Sequence, residues 1–191
     1  MVLTHSTMLK LGTLAPDFNL PEVVSGKSYS LKDFSGKKAL LVMFVCRHCP
    51  YVQHIKDEMS KLGKDYAEKD VAIVAISSND AEKHPDDSPE SLKEFVEETG
   101  IVYPFLYDQT QKVALSYTAA CTPDFFLFNS ERKLVYRGQL DDSRPGNSEP
   151  VTGKDLRNAI NAVLEDKEVS QEQKASVGCN IKWKPGNEPK Y

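Results

Sequence analysis

Two uninterrupted apolar runs, ALLVMFV at residues 39–45 and VAIVAI at residues 71–76, constrain this chain more than any other feature. Each has the length of a strand and neither alternates with polar residues. Both must therefore be buried on two faces, as neighbouring strands of a parallel sheet are. Between them, PYVQHIKDEMSKLGKDYAEKD sets Val52, Ile55, Met59, Leu62 and Tyr66 at steps of three and four, along one face of a helix. Strand, helix and strand form a crossover unit, almost always right-handed.

The rest of the chain extends this unit. In DSPESLKEFVEETG, Ser88 suits a helix N-cap, Pro89 the first helical position and Gly100 the stop, with Leu92, Phe95, Val96 and Thr99 facing inward. VYPFLYD predicts a short strand and TQKVALSYT a short helix. DFFLFNSERKLVYRG predicts two strands joined by a polar turn at residues 129–133, and TGKDLRNAINAVLEDK a last helix. Upstream, APDFNLPEVVSGKSYSLKDFSGK predicts a small hairpin or edge strands. The expected architecture is a three-layer α/β sandwich with a central mixed sheet and helices on both faces. At 191 residues it is one domain (1–191), with a core at 12–167 and a tail at 168–191 that wraps back to bury Ile181 and Trp183.

A net charge of −4 and a pI near 5.6 argue against nucleic acid or an anionic membrane as partner. No apolar run approaches a membrane span, and MVLTHSTMLKLGTLAPDF lacks the charge and apolar core of a leader. The expectation is a cytoplasmic protein whose cysteines stay reduced unless they take part in chemistry.

That gives weight to CRHC, Cys46 to Cys49, directly after the first buried run. CRHC is read as the start of the helix, with Cys46 at the strand end and Cys49 one turn in, so that Cys46 meets free amide groups and the positive end of the helix dipole, which favour its thiolate. His48 and Arg47 add positive potential, His48 as a third catalytic candidate and Arg47 as a residue expected to meet substrate. The expectation is a redox pair with Cys46 as nucleophile and Cys49 as resolving thiol. A zinc knuckle needs a second ligand pair at recognisable spacing, whereas Cys121 and Cys179 are isolated; two inert, packed cysteines are the other bland reading. No metal and no cofactor is expected. Cys121 and Cys179 remain possible additional redox thiols beside the reading of each as a small apolar residue. Asp86 with Asp87 and Asp141 with Asp142 are adjacent pairs that could hold a hard cation, but they read first as turn and cap residues of solvated loops, and His5, His54 and His84 carry no separate signal.

The order of strand, C-x-x-C, helix and strand, with TPDFFLF much later, resembles the thioredoxin-like fold. The leading APDFNL…GKSYSLKDFSGKKALLVMF is similar to its redoxin branch, which includes peroxiredoxins and membrane-anchored thiol-disulfide oxidoreductases. The match runs from about Leu14 to about Lys167, and the tail VGCNIKWKPGNEP resembles that of a group of bacterial thioredoxin-family proteins. The resemblance implies that Pro123 is a cis-proline packed against the C-x-x-C, leaving the backbone of Thr122 free to pair with an extended substrate. It implies as partners protein or small-molecule thiols and disulfides, with a separate reductant or oxidant. The chain departs from thioredoxin at Val45, at the Arg47–His48 centre, and at Leu40, where thioredoxin buries an acid; His48, Glu58 or water would then deliver the proton to Cys49. The peroxiredoxin pattern Pro-x-x-x-Thr-x-x-Cys does not fit, since Ala39 and Met43 or Val42 and Cys46 fall in its places. An antioxidant thiol peroxidase is thus the second expectation, and a Cu(I)-binding chaperone using the same cysteines the third.

Overall fold

The computed structural model describes residues 3–191, so residues 1 and 2 of the expected domain lie outside the described residues. Its centre is a five-stranded sheet of order β6-β5-β4-β8-β9: β4 (Ala39–Phe44), β5 (Val71–Ser77), β6 (Phe105–Tyr107), β8 (Asp124–Phe128) and β9 (Leu134–Tyr136). β4 and β5 run parallel, as do β5 and β6, while β8 and β9 join antiparallel. The sheet is mixed, as the sequence predicts.

The unbroken apolar character of β4 is explained by what lies on either side. Ala39, Leu41 and Met43 enter a core with helices α1 (Pro50–Tyr66), α2 (Pro89–Thr99) and α4 (Lys154–Leu164). Leu40, Val42 and Phe44 enter a second core with Tyr117, Phe126 and Phe128 beside α3 (Lys112–Ser116). Leu40 is fully buried opposite Phe128, so the position holds a hydrocarbon because its surroundings are hydrocarbon. On α1 the five residues at helical spacing are all buried. Burial of each is worth about 2 kcal/mol, so packing more than propensity holds the helix. Ser88 caps α2 by accepting from the Ser91 amide, and Gly100 closes it at φ 66, a left-handed conformation that favours glycine.

The upstream segment forms the expected hairpin, β2 (Asn19–Pro21) with β3 (Ser28–Ser30). One element has no counterpart in the sequence reading. A three-stranded antiparallel sheet joins β1 (Leu3–His5), β10 (Val177–Asn180) and β7 (Cys121–Thr122), with β10 in the middle. The tail does fold back and bury Ile181, but it does so as a strand laid along the segment before Pro123. None of the helices among the described residues is long and apolar enough to cross a membrane.

Candidate active site

Four chain segments converge on CRHC: the end of β4, the start of α1, the turn before α2, and the β7–Pro123–β10 layer. The helix begins later than the sequence reading places it. Pro50 is the first helical residue and Cys49 is the N-cap, with φ −70 and ψ 122. The reason is Pro50 itself, whose ring drives the preceding residue out of the helical region. CRHC is therefore a non-helical bend, and the position facing the free amides of the first turn belongs to Cys49, not Cys46.

Both thiols are fully buried. Cys46 Sγ lies 3.4 Å from Thr122 Oγ1, and Cys49 Sγ lies 3.1 Å from the Thr122 carbonyl oxygen, to which it donates when it carries its proton. The thiol expected to be the more acidic is the less acidic one. Burial pushes Cys46 well up, assisted by its hydrogen bond to Cys49 and by the Asp87 charge. Cys49 is drawn down to about 5 by the hydrogen bond from Cys46 against the cost of burial, with further hydrogen bonds from Cys179 and Thr122. The two thiols titrate as a pair, in which the charge is favoured on Cys49 and the proton on Cys46.

Asp87 holds the bend in place. Its Oδ1 accepts from the backbone amides of Arg47 (2.8 Å) and His48 (3.1 Å), and its Oδ2 receives Asn79 Nδ2 (2.7 Å) and His48 Nδ1 (2.5 Å). It is fully buried, not a solvated loop residue, because the short turn Pro85–Asp87 points it inward while Asp86 stays outside. Burial alone would raise its pKa, but the hydrogen bonds from His48 and Asn79 outweigh that and hold it below the usual carboxylate range. The same bond raises His48, against partial burial. His84 stacks on the His48 ring, with centroids 5.5 Å apart and planes at 11°. Neither Asp87 nor His84 was marked as functional by sequence reasoning; the only available signal was the Asp-Asp pair before Ser88–Pro89, which is also ordinary cap chemistry.

Arg47, expected to meet substrate, is tied elsewhere. Its guanidinium pairs with Glu94 (2.7 Å) and Glu98 (2.9 Å) and donates to the Ser91 hydroxyl on α2. Glu58 is likewise committed: it pairs with Arg157 of α4 at 2.6 Å, so it is spent as a structural ion pair rather than a proton donor to Cys49. Asp141 is buried and accepts from the amides of Ser143, Thr152 and Gly153, pinning the turn that leads to α4. His54 meets Ser143 Oγ at 2.7 Å.

The peptide bond between Thr122 and Pro123 is cis. The backbone of Thr122 is not free, however: it pairs with Cys179, and Asn180 pairs with Cys121. The chain's own tail occupies that edge. This brings Cys179 Sγ within 2.7 Å of Cys49 Sγ. Cys179 is buried and its thiol is pushed up to about 12, first by burial and then by its hydrogen bond to Cys49. Cys121 is equally buried, but its thiol meets only the Pro123 carbonyl, at 3.6 Å.

Among the described residues, Cys46, His48 and Asp87 are the one group with ligand atoms all within 4.8 Å of one another. A carboxylate already holding four hydrogen bonds is a poor partner for a soft ion that prefers thiolates. The group's evident role is to fix the bend.

The model of the Redoxin family matches residues 10–156. A solved structure of an uncharacterized conserved protein from Geobacillus kaustophilus superposes with a TM-score of 0.96 at 51% identity, covering 97% of this chain and 98% of its own. The thiol-disulfide oxidoreductase ResA of Bacillus thuringiensis is 29% identical over 133 residues, 66% of this chain and 68% of that protein. The thioredoxin domain of a thiol-disulfide oxidoreductase from Bacteroides vulgatus shares the fold, with a TM-score of 0.63 at 24% identity over 82% of this chain and 99% of its own.

Proposed function

Because the chain belongs to the redoxin family and is an oxidoreductase, we propose that it performs thiol–disulfide exchange through the Cys46–Cys49 pair. The carrying observation is geometric: both sulfurs sit at the bend between β4 and α1 against the segment before cis-Pro123, Cys46 Sγ 3.4 Å from Thr122 Oγ1 and Cys49 Sγ 3.1 Å from the Thr122 carbonyl oxygen, and the depressed Cys49 favours a thiolate in the pair. Cys46 is the attacking sulfur in this reading. It lies on the side of His48, which is partly exposed, whereas Cys49 is enclosed by Cys46, Thr122 and β10.

As a substrate disulfide reaches Cys46, its proton passes to Cys49 and the Cys46 thiolate attacks, releasing one substrate thiol. Cys49 then attacks the Cys46 sulfur of the mixed disulfide and releases the second. One disulfide is consumed and one is formed; with Cys49 ionised at the start, the pair supplies one of the two protons on the product thiols and solvent supplies the other. Stabilising the Cys49 thiolate stabilises the reduced state, so the couple is more oxidising than one without these neighbours. The partners in this reading are thiols and disulfides in the cytoplasm.

The test is direct. Cys46→Ser should abolish exchange with a model disulfide, and Cys49→Ser should accumulate a mixed disulfide on Cys46. Full exchange by Cys46→Ser would overturn the assignment.

A second reading, thiol-dependent peroxidase, gains support from one contact. Peroxiredoxin-type sites use a threonine hydroxyl beside the attacking thiol; the local motif is missing here, but Thr122 brings a hydroxyl to 3.4 Å from Cys46 Sγ from the other side. Peroxide consumption coupled to a thiol donor, lost in both Cys46→Ser and Thr122→Val, is the outcome that would favour it.

A further inference from the structure

The dithiol mechanism leaves two buried thiols unused, and one of them, Cys179, lies against the reacting atoms. A disulfide bond is about 2.05 Å long, and the sulfurs of Cys49 and Cys179 are already 2.7 Å apart. Cys179 is no loose tail residue that wanders into range. β10 is the middle strand of its sheet, and Cys179 is flanked in register by Leu3 on one side and Thr122 on the other. The approach is close by construction. At Gly178 a Cβ would come within 2.0 Å of the Thr122 carbonyl oxygen, so the absent side chain is what lets β10 lie where it does. The same carbonyl accepts the Cys49 thiol.

We propose that Cys179 is a third redox thiol, which takes the disulfide over from Cys46–Cys49 so that oxidised protein carries a Cys49–Cys179 bond and a free Cys46. The inference rests on the exchange reading of the dithiol. The Cys179 sulfur, as thiolate, attacks Cys49 Sγ; the Cys49–Cys179 bond forms, the Cys46–Cys49 bond breaks, and Cys46 leaves as thiolate. Cys46 takes up the equivalent of the proton that Cys179 gave up, since burial and the Asp87 charge favour its protonated form. Lys182, three residues on, lends positive potential to the attacking thiolate. No electron enters or leaves, and the step is an internal rearrangement of an oxidised centre.

Two consequences give the step a purpose. Cys46 returns to the free thiol form, while the oxidised bond, the one a reductant must open, is moved beneath the tail. An extended substrate cannot use the edge of Thr122 while β10 lies there, so the disulfides that Cys46 meets in this state are those that reach it from the His48 side.

The experiment uses the full-length protein equilibrated across a series of reduced and oxidised glutathione mixtures, quenched in acid, alkylated, and mapped by mass spectrometry under non-reducing conditions. Wild type should carry Cys49–Cys179 as its main internal link, and Cys179→Ser should carry Cys46–Cys49 in its place. Gly178→Ala keeps all four thiols but pushes β10 off Thr122; its ratio of Cys49–Cys179 to Cys46–Cys49 should drop by roughly tenfold or more. If wild type never links Cys49 to Cys179, while Cys46–Cys49 forms and exchange persists, the third thiol is refuted and the dithiol reading stands. If Cys179→Ser forms no Cys46–Cys49 bond and exchanges no disulfide, the dithiol reading itself falls.

Discussion

Cys121 and Cys179 look alike in the sequence, each a lone cysteine far from the C-x-x-C, and both end up buried on neighbouring strands. Their surroundings are nevertheless opposite. In the antiparallel pairing of β7 with β10, Cys179 sits across from Thr122 and Cys121 across from Asn180. Paired residues project to the same face and successive residues to opposite faces. Thr122 and Cys179 thus share the face that meets Cys46 and Cys49, while Cys121 turns away and meets nothing more reactive than the Pro123 carbonyl. A single step of strand register separates a candidate reactive thiol from a packing residue.

The hardest test of that contrast is to exchange the faces. Combining C179N with N180C moves the tail thiol to the Cys121 side without changing composition. Peptide mapping should show every tail link to Cys49 lost, and a surviving link would mean that register does not decide reactivity. A smaller effect concerns the other wall of the site. Asp87→Asn should lower stability by about 2 kcal/mol, the value of hydrogen bonds to a buried charged group, read by urea unfolding. The cost has a pH window. Asp87 is depressed, so its contribution is present above the ordinary carboxylate pKa and fades as pH falls through its folded value. His48 is raised, so its contribution is present below its ordinary value and fades as pH rises through the folded one. The difference between wild type and Asp87→Asn is therefore largest between those limits.

Smaller again is the thiolate itself. Its ultraviolet absorbance in the reduced protein should titrate near pH 5, and Cys179→Ala, by removing a hydrogen bond to Cys49, should move that inflection upward. An inflection near 9 in wild type would contradict the charge placement on Cys49. The smallest effect belongs to Cys121. Cys121→Ala should cost no more than about 1 kcal/mol and leave the disulfide map unchanged.

The parts legible in the sequence were those whose cause is local or periodic. The two apolar runs gave the parallel pair, the stripe from Val52 to Tyr66 gave α1, and Ser88, Pro89 and Gly100 bounded α2. Where the reading went astray, a distant or competing cause prevailed. CRHC reads as a helix start until the steric effect of Pro50 on Cys49 is given its full weight. β10 is four residues, VGCN, without alternation, and its partners β1 and β7 lie more than fifty residues away or at the other end of the chain. Asp86 and Asp87 are indistinguishable as letters; only the turn at Pro85 decides which one enters the site.

The pairing of β1 with β10 also has a mechanical meaning. Leu3 lies opposite Cys179 and His5 opposite Val177, so the strand nearest the chain's start is stitched to the tail with Cys179 in the outermost rung. A force that peels Leu3 sideways off β10, across the strands, would open this ladder one rung at a time, and the first rung to part is the one that backs Cys179. Loads carried by anything joined ahead of Leu3 would thus be felt at the sulfur centre before they reach the five-stranded sheet.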